Sequence, residues 1–256
     1  MKLLEGKKAL IVGVANERSI AWGIAQKLHE EGAELAFTYV NAAIEKRLRP
    51  LAESIGCNNV FPCDVQSDAE IANLYAELTT RWGRIDALIH SVAFANGDDL
   101  KCRFHETSRA GFNLALDVSA YSLIGLARGA YPLMKDNGGT ILTLSYLGAQ
   151  RVVQNYNIMG VAKAALESSV RYLAADLGQD KIRVNALSAG PIKTLAAAGI
   201  PKFRELLGSF EEKSPLRRNV TQEDIAKSAL FYLSDLSSGI TGETTYVDCG
   251  YNILGL

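Results

Sequence analysis

The chain has 256 residues, a formal net charge of -1 and 48% hydrophobic residues. That content supplies a sizeable core and excludes a disordered chain, while the neutral balance excludes a global field that recruits nucleic acid. The four cysteines (Cys57, Cys63, Cys102, Cys249) lie far apart, which excludes zinc-type clustering and suits a reducing compartment.

The N-terminal Met1 to Lys8 lacks the apolar core of a signal peptide. No stretch reads as a membrane span, so the expectation is a cytoplasmic protein with no membrane, nucleic-acid or metal partner. Lys7 to Val14 is a near-continuous apolar strand, as in a sheet covered on both faces. Gly13 follows, able to form a tight turn and admit a close backbone or ligand. Ser19 is a helix cap or a phosphate-facing hydroxyl, and Ile20, Ile24, Ala25 and Leu28 keep a helical rhythm. Strand, glycine turn and helix present free backbone N–H groups to a pyrophosphate, although the usual G-x-G-x-x-G is absent.

Glu34 to Val40 is the second strand. Its end (Tyr39, Val40, Asn41) carries no acid for a ribose and no adjacent base for a 2′-phosphate, which leans toward NADH over NADPH. Lys46, Arg47 and Arg49 read as the wet face of a helix over Ala42 to Ile55. Asn59 to Pro62 is a short strand ending near Asp64, an acceptor for an adenine amino group or a loop cap. Ala69 to Trp82 is a helix closed by Gly83, and Asp86 to Ser91 a strand in which His90 reads as a core histidine. Asn96 to Glu106 reads as a loop, and Ser108 to Tyr131 as a long helix packing on the sheet and on another helix or a subunit.

The stretch Thr140 to Ala165 organises the chain. An apolar strand ends in Ser145 and Tyr146, and a helix-like segment then carries Tyr156 and, seven positions on, Lys163. Two helical turns put both on one side of a helix. A phenol near an ammonium can donate to a developing oxyanion, although a packed Tyr and a solvated Lys have the same spacing. Lys181 to Leu187 is another strand, leading to a Gly190-Pro191 turn. Leu195 to Leu207, small, apolar and broken by Gly199 and Pro201, suits a lid over an apolar substrate or a short helical excursion. Thr221 to Asp224 opens a helix to Leu233, and Thr244 to Val247 is a final strand before an apolar tail that another subunit could bury. The alternation predicts an α/β fold: a Rossmann-like, doubly wound parallel sheet flanked by helices, one domain over 1–256 with a small helical lid at about 195–207.

The segments at Gly13 to Ala25, Cys63 to Val65, His90 to Ala95, Leu144 to Ala149, Asn155 to Ala164 and Ser188 to Thr194 together resemble the short-chain dehydrogenase/reductase superfamily. Within it the match is to the NADH-dependent enoyl-acyl-carrier-protein reductases of type II fatty acid synthesis, over essentially the whole chain. The broad superfamily leaves three residues between its Tyr and Lys. Here Met159 stands in that slot and Tyr156 sits a turn earlier, which favours the enoyl branch over a carbonyl reductase, while the intact Tyr156 and Lys163 weigh against a non-catalytic nucleotide-binding regulator.

The resemblance implies that NADH/NAD+ is the cofactor and acyl carrier protein bearing an enoyl thioester the substrate. Gly13, Ala15, Ser19 and Ile20 would line the pyrophosphate, Asp64 and Val65 would hold adenine, and Val40 would pack beside the adenosine. Ser91, Val92 and Ala93 would lie along the nucleotide. Ile192, Lys193, Thr194, Leu195 and Ala196 would fix the carboxamide side, and Lys163 the nicotinamide ribose. Ala95 would contact substrate or inhibitor. Tyr156 would donate to the thioester oxygen with Lys163 lowering its pKa, and Tyr146, ten positions earlier at a strand end, would orient substrate or assist with protons. The family also implies a homotetramer, with Lys202, Arg204, Arg217 and Arg218 as a basic rim for the acidic carrier or a plain solvated face.

Overall fold

The apolar runs become seven parallel strands in the computed structural model, which describes residues 2–194 and 203–255. They are β1 (Lys8–Val12), β2 (Glu34–Tyr39), β3 (Val60–Pro62), β4 (Ala87–His90), β5 (Gly139–Ser145), β6 (Ile182–Ala189) and β7 (Thr244–Val247), in the order β3-β2-β1-β4-β5-β6-β7. Helices fill the crossovers: α1 (Ile20–Glu30), α2 (Ala42–Ser54), α3 (Asp68–Trp82), α4 (Gly97–Lys101), α5 (Arg109–Leu116), α6 (Ser122–Met134), α7 (Ile158–Leu177), α8 (Phe203–Lys213) and α9 (Gln222–Leu233).

Period-two alternation sorts the two faces of the sheet. Leu10 and Val12 of β1 join a core with Leu74 of α3, Leu123 of α6 and Leu166 of α7. Ala9 and Ile11 join a second core with Ile24 of α1, Leu48 of α2 and Ile225 of α9. Local chemistry starts and stops the helices. Asn41 and Ser67 accept from the N–H groups of Ile44 and Glu70. Thr221 and Asp224 form a reciprocal capping box at α9, and Gly83 ends α3 at φ 67°.

Three expectations are corrected here. Residues 96–106 are not simply a loop, since they hold the single-turn α4 and a 3-10 turn at Phe104–Glu106. Buried Asp99 anchors α4 by accepting from the Ser108 N–H at 2.9 Å. The long helix is not regular: a π-helical turn at Asp117–Tyr121 separates α5 from α6. That whole run, Arg109–Met134, spans 26 residues and contains an 18-residue window with a mean hydropathy of 1.3, so it has the length and apolarity of a membrane span after all. Its apolarity serves the core instead, where Leu123 and Leu126 have no exposed surface. Leu195 to Lys202, most of the expected lid, lie outside the described residues, while Phe203 to Leu207 form the opening of α8.

Candidate active site

In a parallel sheet all strands point their C-terminal ends to one edge, and a crevice opens where the strand order reverses, here between β1 and β4. The expected cofactor residues fall along that edge in strand order. Asp64 and Val65 follow β3, Val40 follows β2, Gly13 to Ile20 follow β1, Ser91 to Ala93 follow β4, Tyr146 follows β5, and Ile192 to Thr194 follow β6. Leu195 and Ala196 lie outside the described residues.

The β1 turn is built largely from backbone. Gly13 sits at φ 110°, and a Cβ there would stand 2.1 Å from the Ser91 carbonyl oxygen. The close approach is therefore made by β4's own carbonyl, and glycine lets β1 and β4 meet at the crevice. Ser19, at the N-cap position, does not cap α1. Its Oγ accepts from the N–H groups of Ala15 and Asn16 at 3.0 and 3.1 Å. Gln222, the first residue of α9, donates to the Ser19 carbonyl at 2.7 Å and ties the turn down from the other end of the chain. No acidic residue stands in the first turn of α1, so its positive end faces the edge unneutralised. Val40 is 53% exposed there, an apolar surface suited to a flat ring. Helix N-terminus, glycine cradle and bare valine together fit a dinucleotide. At the end of β2 the Arg49 guanidinium lies 5.9 Å from the Tyr39 ring centre and is held by Glu45 at 2.6 Å.

The β5 end is built from side chains. Tyr156 is not on α7, contrary to the helix-face expectation; it precedes the N-cap Asn157. Asn155 and Asn157 flank it at φ 62° and 39°, a left-handed backbone that Asn tolerates better than most residues. Asn157 Nδ2 donates to the Cys102 carbonyl at 2.8 Å, tying this turn to the segment after α4. The Tyr156 ring meets Tyr146 edge-on, with centroids 4.8 Å apart. It packs with Leu100, Ala115, Ile158 and Met159, and half-buried Ala95 joins this cluster. A Cβ on Gly148 would stand 2.4 Å from the Tyr156 ring, so only glycine fits beneath it.

Burial pushes the Tyr156 phenol well above its usual pKa, with Tyr146 adding to the rise, and burial raises Tyr146 likewise. The expected lowering of the phenol pKa by Lys163 is therefore corrected. Lys163 Nζ donates to the Leu144 carbonyl at 2.7 Å, and desolvation of the phenol prevails. Burial also pulls Lys163 down to about 8, with Glu167 opposing the shift. The Tyr146 hydroxyl is buried with no partner among the described residues. Such a group costs free energy unless a ligand satisfies it. His90 stays a core residue as expected, bonded to Thr143 and Ser122 at 2.8 Å each, and burial lowers its pKa to about 3.

A family model described as enoyl-(acyl carrier protein) reductase matches residues 13–252. The chain belongs to the enoyl-acyl-carrier-protein reductase family. The NADH-dependent enoyl-acyl-carrier-protein reductase FabI of Rickettsia prowazekii is 54% identical over 253 residues, covering 99% of this chain and 97% of that protein. The Bacillus cereus enoyl-acyl carrier protein reductase, solved with NADP+ and an indole naphthyridinone, superposes with a TM-score of 0.97 at 53% identity over 100% of both chains. The Anaplasma phagocytophilum reductase, solved with NAD, gives 0.96 at 50% identity over 99% of this chain and 97% of that one.

Several residues that shape the enoyl reductase site escaped the sequence reading: Gly148, Asn157, Gln222, and Ser119. Ser119 lies on the π-helical turn and accepts from the Phe94 N–H at 3.0 Å, fixing the segment after β4. Most of their contacts join distant parts of the chain, and only Gly148 and Asn157 left a trace, in the L-G-A after Tyr146 and the N-Y-N around Tyr156. Of the expected basic rim, Lys202 and the Arg204 side chain lie outside what is described. Arg218 is committed to Asp224 at 2.6 Å, and Arg217 to the Glu212 carbonyl.

Proposed function

We infer that the protein reduces trans-2-enoyl thioesters on acyl carrier protein with NADH, the final reduction in each round of fatty acid elongation. One observation carries the reading of the site: buried Tyr156 and half-buried Tyr146, whose hydroxyl has no partner among the described residues, meet edge-on in an apolar cluster at the end of β5, where buried Lys163 holds the Leu144 carbonyl.

Bound NADH would supply a hydride to the β-carbon of the thioester, and a proton taken up from solvent at the α-carbon would complete the reduction. To hold the cofactor, Asp64, Val65 and Val40 serve the adenosine, Gly13, Ala15, Ser19 and Ile20 the pyrophosphate, and Ser91, Val92 and Ala93 the stretch between. Ile192, Lys193 and Thr194 serve the carboxamide side, with Leu195 and Ala196 continuing it. Lys163, one of its protons on Leu144, offers the others to ribose hydroxyls.

Tyr156 keeps its proton because burial disfavours the phenolate. An un-ionised phenol in a dry pocket donates to the thioester oxygen as negative charge gathers there, and this bond is stronger in the transition state than in the ground state. Lys163, charged at neutral pH, holds the Leu144 carbonyl two residues before Tyr146. Tyr146 orients the substrate from the adjacent wall, and Ala95 borders the acyl chain. The Tyr156→Phe variant should lose on the order of 10²-fold in kcat, with NADH affinity kept. Stopped-flow turnover and fluorescence titration measure the two, and normal turnover would remove Tyr156 from this role. Crotonyl thioester should be reduced far faster than acetoacetyl thioester; the reverse order would favour a carbonyl reductase.

The protein works as a cytoplasmic homotetramer. Tyr121 and Ile124 beside and on α6, and Tyr172 on α7, 42%, 38% and 78% exposed in the single chain, support burial against a second copy. Light scattering on wild type and Tyr172→Glu tests this, with a smaller particle expected for the variant. The acidic carrier docks on the basic residues near α8, and a carrier-substrate KM that rises with salt is the expected mark.

A further inference from the structure

Lys163 and Glu167 stand four residues apart on α7, on one face of the helix. Both are buried, at 6% and 4% exposure. Lys163 Nζ holds the Leu144 carbonyl at 2.7 Å, and Glu167 Oε1 accepts from the Ser145 hydroxyl at 2.5 Å. Glu167 Oε2 faces Gln150 Nε2 at 3.4 Å. Two successive turns of α7 thus grip two successive residues at the end of β5, immediately before Tyr146. Packing alone needs no acid there: an apolar side chain fills such a position at no desolvation cost.

We propose that Glu167 is a positioning residue for catalysis, the buried counter-charge that keeps Lys163 protonated and, through Ser145, fixes the β5 end that presents Tyr146. This rests on the reading of Lys163 and Tyr156 as the catalytic pair.

The groups around Lys163 leave this task to Glu167. His90 of β4 is neutral at working pH, since burial holds it far below its usual pKa. Tyr146 and Tyr156 are un-ionised phenols. On the far side, Tyr246 of β7 faces Glu167 and Gln150, with Asp248 and Arg151 beyond, and burial raises the Tyr246 phenol too; the Asp248 carboxylate is taken up by the N–H groups of Gly250 and Asn252. A buried ammonium without an opposite charge loses its proton more readily. The sign follows: removing the carboxylate lowers the Lys163 pKa, and activity that needs the ammonium then fails at a lower pH.

The test is the alkaline limb of kcat/KM for NADH-dependent crotonyl-thioester reduction by the assembled full-length enzyme. Glu167→Gln should move the limb down by about one pH unit, while NADH affinity changes little. Ser145→Ala, which frees the carboxylate, should move it the same way by less, and Glu167→Asp should restore it in part. Thermal melts identify any variant that is merely unfolded, and Ser145→Ala carries the test if Glu167→Gln fails to fold. A limb that stays in place in both folded variants overturns the proposal. Lys163→Arg separates this from failure of the underlying reading: a guanidinium does not titrate in this range, so the limb should disappear. A limb unmoved by Lys163→Arg removes Lys163 from the mechanism. A limb that Lys163→Arg abolishes, but Glu167→Gln and Ser145→Ala leave untouched, removes Glu167 alone.

Discussion

The two ends of the sheet edge are built on different principles. At β1 and β2 the cradle consists of backbone N–H groups, a helix end, one glycine and an exposed valine, held by ordinary strands and a regular helix. At β5 the proposed site consists of particular side chains (Tyr146, Tyr156, Lys163 and Glu167) held by irregular backbone: two asparagines at positive φ, a π-helical turn and a glycine beneath a ring. Backbone recognition tolerates side-chain change so long as the fold survives. Side-chain chemistry does not, because displacement of about 1 Å costs on the order of 10²-fold in rate.

Substitutions break or sharpen this contrast. Gly148→Ala adds one methyl group where the Tyr156 ring lies, and its backbone asks for nothing unusual in φ. It should lower kcat on the order of 10²-fold with little change in NADH affinity, at a cost of about 1–3 kcal/mol in stability from overpacking, measured by steady-state kinetics and calorimetry. Ile24→Ala does the opposite at the cradle end. Ile24 has no exposed surface and sits between α1 and the sheet. Its loss should destabilise the fold by about 2–5 kcal/mol in urea titration, while kcat per folded enzyme stays near wild type. If Ile24→Ala cut kcat as deeply as Gly148→Ala, the two ends would not differ as described.

The smallest effect concerns cofactor choice. Arg49 is near the β2 end, but Glu45 neutralises it. Glu45→Gln should free the guanidinium for a 2′-phosphate and lower the KM for NADPH about threefold to tenfold, the scale of one charge-assisted bond near the surface. The KM for NADH should hardly move, and parallel titrations with the two cofactors decide it.

The same contrast governs what could be read from the sequence. Strands covered on both faces are unbroken apolar runs, so all seven were legible within about two residues, the usual scatter of element ends. Caps at Ser67, Thr221 and Gly83 carry local codes. The cradle was legible in outline, including the close backbone approach at Gly13, which the Ser91 carbonyl makes. Nothing local marks Tyr156 as lying before α7, because Asn155 and Asn157 adopt positive φ under tertiary constraint, and Y-N-I-M-G-V-A-K reads as continuous helix. The helix α4 was invisible because a single turn has no periodicity, and Asp99, Ser108 and Asn157 define it only after folding. Glu167 and Ser145 meet across 22 residues, beyond the reach of any spacing rule.

Gln222 reaches the Ser19 carbonyl across 203 residues of chain. During synthesis the first βα unit leaves the ribosome early, yet the residue that pins its loop emerges only after β6 has been made. The nascent chain should therefore remain a poor nucleotide binder through most of its translation and gain affinity late, when α9 docks on α1.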